Sequence, residues 1–148
     1  MTRKVLSVER GTSVHEIYRI FLKNNVMGVP VVDKDKKVVG IVTERDLAIR
    51  GEDLKEPAAV NLLGSVIYLE DMDKYNVMLR KKLGQLAVDV MSSPAYTLPE
   101  EATLAEILEF MDKHGINRIP VVDNRDKLSG IITRTDIIKE LIKEGRDT

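Results

Sequence analysis

The chain has 148 residues and no cysteine. That excludes a disulfide framework and any thiolate nucleophile, and it suits a cytoplasmic protein. Long apolar runs are missing as well: although 43% of residues are hydrophobic, no stretch approaches the roughly 18 residues of a membrane span. Met1-Thr2-Arg3-Lys4 leads into only a few apolar residues, so no signal peptide is expected. Neither sign of charge dominates. Lys and Arg number 23 against 24 Asp and Glu, a net charge of −1, which is not the basic footprint of a nucleic-acid binder. Catalytic signatures are equally scarce. There is no G-x-S-x-G elbow and no G-x-x-x-x-G-K-[ST] phosphate loop. His15 and His114 belong to no His-x-x-x-His pattern. Neither an enzyme nor a metal site is expected.

What the chain has is a repeat. Gly40-Ile41-Val42-Thr43-Glu44-Arg45-Asp46 returns as Gly130-Ile131-Ile132-Thr133-Arg134-Thr135-Asp136, and the same offset of 90 residues carries Pro30-Val31-Val32-Asp33 onto Pro120-Val121-Val122-Asp123 without a gap. The expected division is a first copy at 1–50, an unrepeated, partly helical connector at 51–92 and a second copy at 93–148. A unit of roughly 50 residues rarely buries enough apolar surface by itself. The copies should therefore share a core.

Within each copy the pattern predicts strand, helix, strand, strand, helix, an α/β (α+β) unit with helices on one sheet face. Val5 to Val8 is β-branched and reads as a strand. Ser13 with Glu16, and Thr103 with Glu106, have capping-box spacing. Behind them Val14, Ile17, Tyr18 and Phe21, or Leu104, Ile107, Leu108 and Met111, recur on one helical face. Val29–Val32 and Val38–Val42 predict an antiparallel hairpin about a charged turn, as do 119–122 and 128–132. In the connector, Val66–Leu69 suggests a strand, Asp71–Leu86 a helix and Val88–Met91 a turn. Thr43 with Asp46 and Thr133 with Asp136 stand where strand gives way to helix, and as an N-cap with a returning acid they need no ligand.

The order h-P-h-h-D, charged turn, G-h-h-T-x-x-D, behind a capped helix, resembles the cystathionine-β-synthase-type (CBS) domain, and the two copies resemble a tandem CBS pair. The resemblance implies a pseudo-twofold module with two clefts for adenosine-containing ligands, often paired again into a homodimer. It implies a non-catalytic role, commonly energy sensing, exerted on a regulated partner that the sequence does not name. No cofactor is required on this reading. The ligand would be AMP, ADP or ATP in preference to S-adenosylmethionine.

By that resemblance Asp46 and Asp136 bind ribose, since an ionised carboxylate accepts from two adjacent hydroxyls. Thr43 and Thr133 would bond phosphate at a helix N-terminus. Adenine would lie against Val26, Met27 and Ser7 in one copy and against Ile116, Asn117 and Thr97 in the other, with each cleft assembled across the copies. Arg118, whose counterpart is Gly28, would clamp phosphate in the cleft of Thr43. The alternative is a purely structural dimerisation or interaction module without ligand.

Overall fold

The computed structural model describes residues 5–51, 59–62, 65–68 and 72–146. The first copy consists of strand β1 (Val8–Glu9), helix α1 (Val14–Asn24), strands β2 (Gly28–Val32) and β3 (Val38–Thr43), and helix α2 (Glu44–Gly51). A hairpin of β4 (Ala59–Leu62) and β5 (Ser65–Tyr68) follows, then helix α3 (Met72–Leu83) and the single turn α4 (Ala87–Val90). The second copy repeats the first with β6 (Leu98–Pro99), α5 (Leu104–His114), β7 (Arg118–Val122), β8 (Leu128–Thr133) and α6 (Arg134–Arg146).

The helices start and stop where local chemistry dictates. Ser13 Oγ accepts the Glu16 N–H at 3.1 Å. Thr103 and Glu106 form a reciprocal box at 3.2 and 3.1 Å. Left-handed residues end both helices, Asn25 at φ 51° and Gly115 at φ 61°, as such caps require. In each hairpin turn one aspartate holds two backbone N–H groups: Asp33 takes those of Asp35 and Lys37, and Asp123 those of Arg125 and Lys127. Bonds from the N–H groups of Lys127 and Arg125 hold the Asp123 carboxyl below the usual carboxylate range.

The sheet of each copy has three strands, in the orders β1-β2-β3 and β6-β7-β8, with the first pair parallel and the second antiparallel. Pro30 lies inside β2 opposite Ile41. Ile41 spends its own N–H and C=O on Ser92, at 3.1 and 2.8 Å. Pro30 therefore occupies a non-hydrogen-bonded pair of the ladder, where a missing N–H costs least. The Ser92 bridge also closes part of the free edge of β3.

Positions 29–32 and 119–122 are all buried, so the central hairpin strands are covered on both faces. Equivalent residues of the two copies meet: a side chain at Gly28 would run into Arg118, and Lys37 bridges to Lys127. A local twofold axis thus passes between these pairs. The short α4 crosses over to the first copy, where Ala87 and Val90 join the core of Val8, Val14, Ile17, Val29, Val31, Val42 and Leu47. Its start is tied down by the Val14 N–H on Gln85 O and the Ala87 N–H on Thr12 O, at 2.8 and 2.7 Å.

Three sequence expectations are corrected. The opening strand is Val8–Glu9 and not Val5–Val8, because only those two residues find parallel partners, Val31 and Val32. Residues 87–90 form a helical turn in place of a plain turn, with the Asp89 carboxylate accepting the Leu86 N–H at 3.2 Å. The connector helix stops at Leu83 and not at Leu86. Of the connector expected at 51–92, residues 52–58, 63, 64 and 69–71 lie outside the described residues, and with them the expected ends Leu69 and Asp71.

Gly40 gives a direct test of the packing between β3 and the end of the connector. A Cβ there would come within 2.5 Å of Met91 Sδ and 3.0 Å of the Ser92 carbonyl oxygen. Gly40→Ala should therefore lower stability by about 1–3 kcal/mol, the usual cost of overpacking. Urea unfolding measures it, and an unchanged midpoint would mean that residues 91–92 do not press on this strand.

Candidate functional site

Each G-h-h-T-x-x-D motif runs from the last strand of its copy into the last helix, which places Thr and Asp at a helix N-terminus. In the second copy the pair forms a reciprocal cap: Asp136 Oδ2 accepts the Thr133 N–H at 2.9 Å, and the Asp136 N–H reaches Thr133 Oγ1 at 3.3 Å. Asp136 is half-buried, and among the described residues no cation pairs with it.

The first copy is different. Asp46 Oδ2 accepts the Thr43 N–H at 2.9 Å. Its Oδ1 is shared by the Ser92 hydroxyl, at 2.8 Å, and the ammonium of Lys81 from α3. Lys81 also donates to Val90 O at 2.9 Å and to Ser92 Oγ at 3.2 Å. All three of its ammonium hydrogens thus have acceptors. Asp46 is 4% exposed and Lys81 8%. Two buried opposite charges need this degree of satisfaction to offset their desolvation.

Beside Thr43 lies a cleft of about 80 Å³ built across the copies, with Thr43, Glu44 and Arg45 on one wall and Ile116, Asn117 and Arg118 on the other. Arg118 Nη1 is 2.9 Å from Glu44 Oε2, so the guanidinium spans the mouth. Its Cδ and Nε lie against Gly28, where a Cβ would be only 2.6 and 3.0 Å away. The glycine at the equivalent position is what lets the arginine cross the local axis.

The structure thus brings Thr43, Ile116, Asn117 and Arg118 together and buries Asp46 beside them. Val26 and Ile116 are half-buried and pack on the two cores. Met27 is 53% exposed. The carbonyls of Met27 and Asn117 accept the N–H groups of Glu44 and Arg134, at 3.1 and 2.9 Å, joining the segment before each hairpin to the start of the last helix. Ser7 and Thr97 each sit one residue before the first strand of their copy and do not line this cleft. Sequence reasoning missed Lys81, Ser92 and Glu44, and it missed Gly28 as the seat of Arg118. Only the last had a visible signal, the Gly-for-Arg difference between copies.

The chain matches the model of the CBS domain family over residues 1–51 and 86–143. It is 31% identical over 147 residues to the protein MJ1426 of Methanocaldococcus jannaschii, covering 95% of this chain and 88% of that one. It is 34% identical over 135 residues to inosine-5'-monophosphate dehydrogenase of Aquifex aeolicus, which covers 90% of this chain but only 22% of that enzyme. Among solved structures it resembles CBSX2 of Arabidopsis thaliana in complex with AMP, with a TM-score of 0.79 at 21% identity, over 96% of this chain and 91% of that one. Among the described residues no helix is long and apolar enough to cross a membrane.

Proposed function

Because the chain belongs to the CBS domain family, we propose that it is a non-catalytic regulatory module that binds an adenosine-containing ligand, AMP, ADP or ATP, between its two repeats. The observation that supports this most is the cross-copy cleft, in which Thr43 of one repeat faces Ile116, Asn117 and Arg118 of the other. The AMP complex of CBSX2, a protein of the same fold, adds to it. The carboxylate of the motif takes the ribose hydroxyls, the threonine and the helix N-terminus take phosphate, and Arg118 can exchange Glu44 for a phosphate oxygen. Binding changes the module's preference between shapes, since a ligand shifts an equilibrium only through differential affinity. A regulated protein reads that preference. Pairing into a homodimer belongs to the same proposal, and exposed Leu108, Ile138, Leu141 and Ile142 are apolar side chains that such pairing could cover.

A purely structural module is the second reading, and one observation favours it: both Thr–Asp pairs are satisfied as helix caps without any ligand. Thermal and urea unfolding with AMP, ATP and S-adenosylmethionine separate the two. At 100 times its dissociation constant a bound ligand should stabilise the protein by about 2.7 kcal/mol. Asp46→Asn/Asp136→Asn, shown to be folded by circular dichroism, should lose that gain. No stabilisation by any of the three ligands, or full stabilisation of the folded double variant, favours the structural module.

A further inference from the structure

Glu44 and Arg118 bring opposite charges into one cleft, and the other copy folds without either of them. The offset of 90 residues sets Arg118 on Gly28 and Arg134 on Glu44. The second motif passes from strand to helix with Arg134 where the first has Glu44. The two backbone N–H groups make the same bond, Glu44 to Met27 O and Arg134 to Asn117 O. An acid at this place is therefore no requirement of the turn. Its partner is specific: Oε2 of Glu44 accepts from Arg118 Nη1 at 2.9 Å across the copies. The Arg118 side chain is 19% exposed and that of Glu44 41%, so the pair meets water on its carboxylate side and holds only weakly. The space it borders is about 80 Å³, room for about two or three waters at about 30 Å³ each. That suits one phosphoryl group and not a chain of three.

We propose that Glu44 is an internal stand-in for phosphate at Arg118, and that it makes the cleft select ligands with a single phosphoryl group, AMP over ATP. The proposal rests on the adenosine reading above. A guanidinium offers its N–H fork to phosphate as it does to carboxylate, and a doubly charged phosphate attracts it more strongly than a singly charged carboxylate. Once displaced, Glu44 stays tethered at the start of α2, beside the phosphoryl group that replaced it. The first phosphoryl group gains Arg118 and meets one repelling carboxylate. Each further group adds to the repulsion without a matching gain, because Arg45, the second basic residue of the lining, is exposed and its charge is screened. Glu44 is thus a specificity-determining residue that holds the arginine in place for one phosphate and opposes more.

Calorimetric titration of the full chain with adenosine, AMP and ATP in metal-free buffer tests this. The wild type should bind AMP about tenfold or more tightly than ATP. Glu44→Gln keeps the shape and an acceptor for Arg118 but removes the charge. It should tighten AMP, tighten ATP further, and so narrow the ratio between them about threefold or more. Adenosine, which carries no phosphoryl group, should gain less than either. The wild-type titrations decide the matter even if the variant does not fold, since ATP bound as tightly as AMP overturns the selection. An unchanged ratio in folded Glu44→Gln, or an equal gain for all three ligands, overturns it too. Each of these results leaves the adenosine reading standing, whereas no binding of any of the three ligands overturns that reading and the selection with it.

Discussion

Lys81→Met should destabilise the protein by about 3–5 kcal/mol, because it leaves a buried carboxylate without its cation. The side chains of Lys81 and Asp46 are 10% and 5% exposed, so water cannot take over the lost contact as it does at surface pairs worth about 0–1 kcal/mol. The loss should be partly reversible. In Lys81→Met/Asp46→Asn the charge is gone from both sides, the asparagine oxygen can still accept the Thr43 N–H, and the desolvation penalty of the ion pair disappears with it. The double variant should recover at least half of the single variant's loss. Urea unfolding of the wild type, both single variants and the double variant closes the cycle and gives the coupling. A cost under about 1 kcal/mol for Lys81→Met would place the ammonium in solvent and remove the latch between connector and first copy.

Why Lys81 escaped the sequence reading is instructive. Helix caps, hairpins and the repeat were legible because each is written within a few residues: Ser13 and Glu16, Thr103 and Glu106, Pro30 before its run of valines. The cross-copy cleft was legible only through the family resemblance, which set Thr43 against Ile116, Asn117 and Arg118. The partner of Asp46, by contrast, lies 35 residues away, inside Arg80-Lys81-Lys82, where no local pattern separates the buried lysine from its neighbours. The β4 strand was missed for a related reason. Ala59-Val60-Asn61-Leu62 shows no clean alternation, and it becomes a strand by pairing with Ser65–Tyr68, so tertiary partnership and not propensity decides it. The helical turn of residues 87–90 likewise depends on what it covers, Val14 and Ile17 of the first copy.

That crossover makes the two copies unequal in energy as well as in chemistry. Ile17 and Ile107 are equivalent positions, but Ile17 is 0% exposed within a core completed by Ala87 and Val90, while Ile107 is 7% exposed in a smaller cluster with Met111, Ile119 and Ile137. Truncation of a buried isoleucine costs about 2–5 kcal/mol, and the cost rises with the cavity left behind. Ile17→Ala should fall at the upper end of that range, because its surroundings are fixed from both the sheet and the crossing turn. Ile107→Ala should fall at the lower end, where exposed neighbours such as Leu108 can relax into the space. A second substitution sharpens the test. Val90→Ala should combine non-additively with Ile17→Ala, since both line one cavity, and should add to Ile107→Ala within about 0.5 kcal/mol, since they lie in separate clusters. Equal costs for the two isoleucines, or additivity in both combinations, would mean that the turn after the connector rests on the first copy without completing its core.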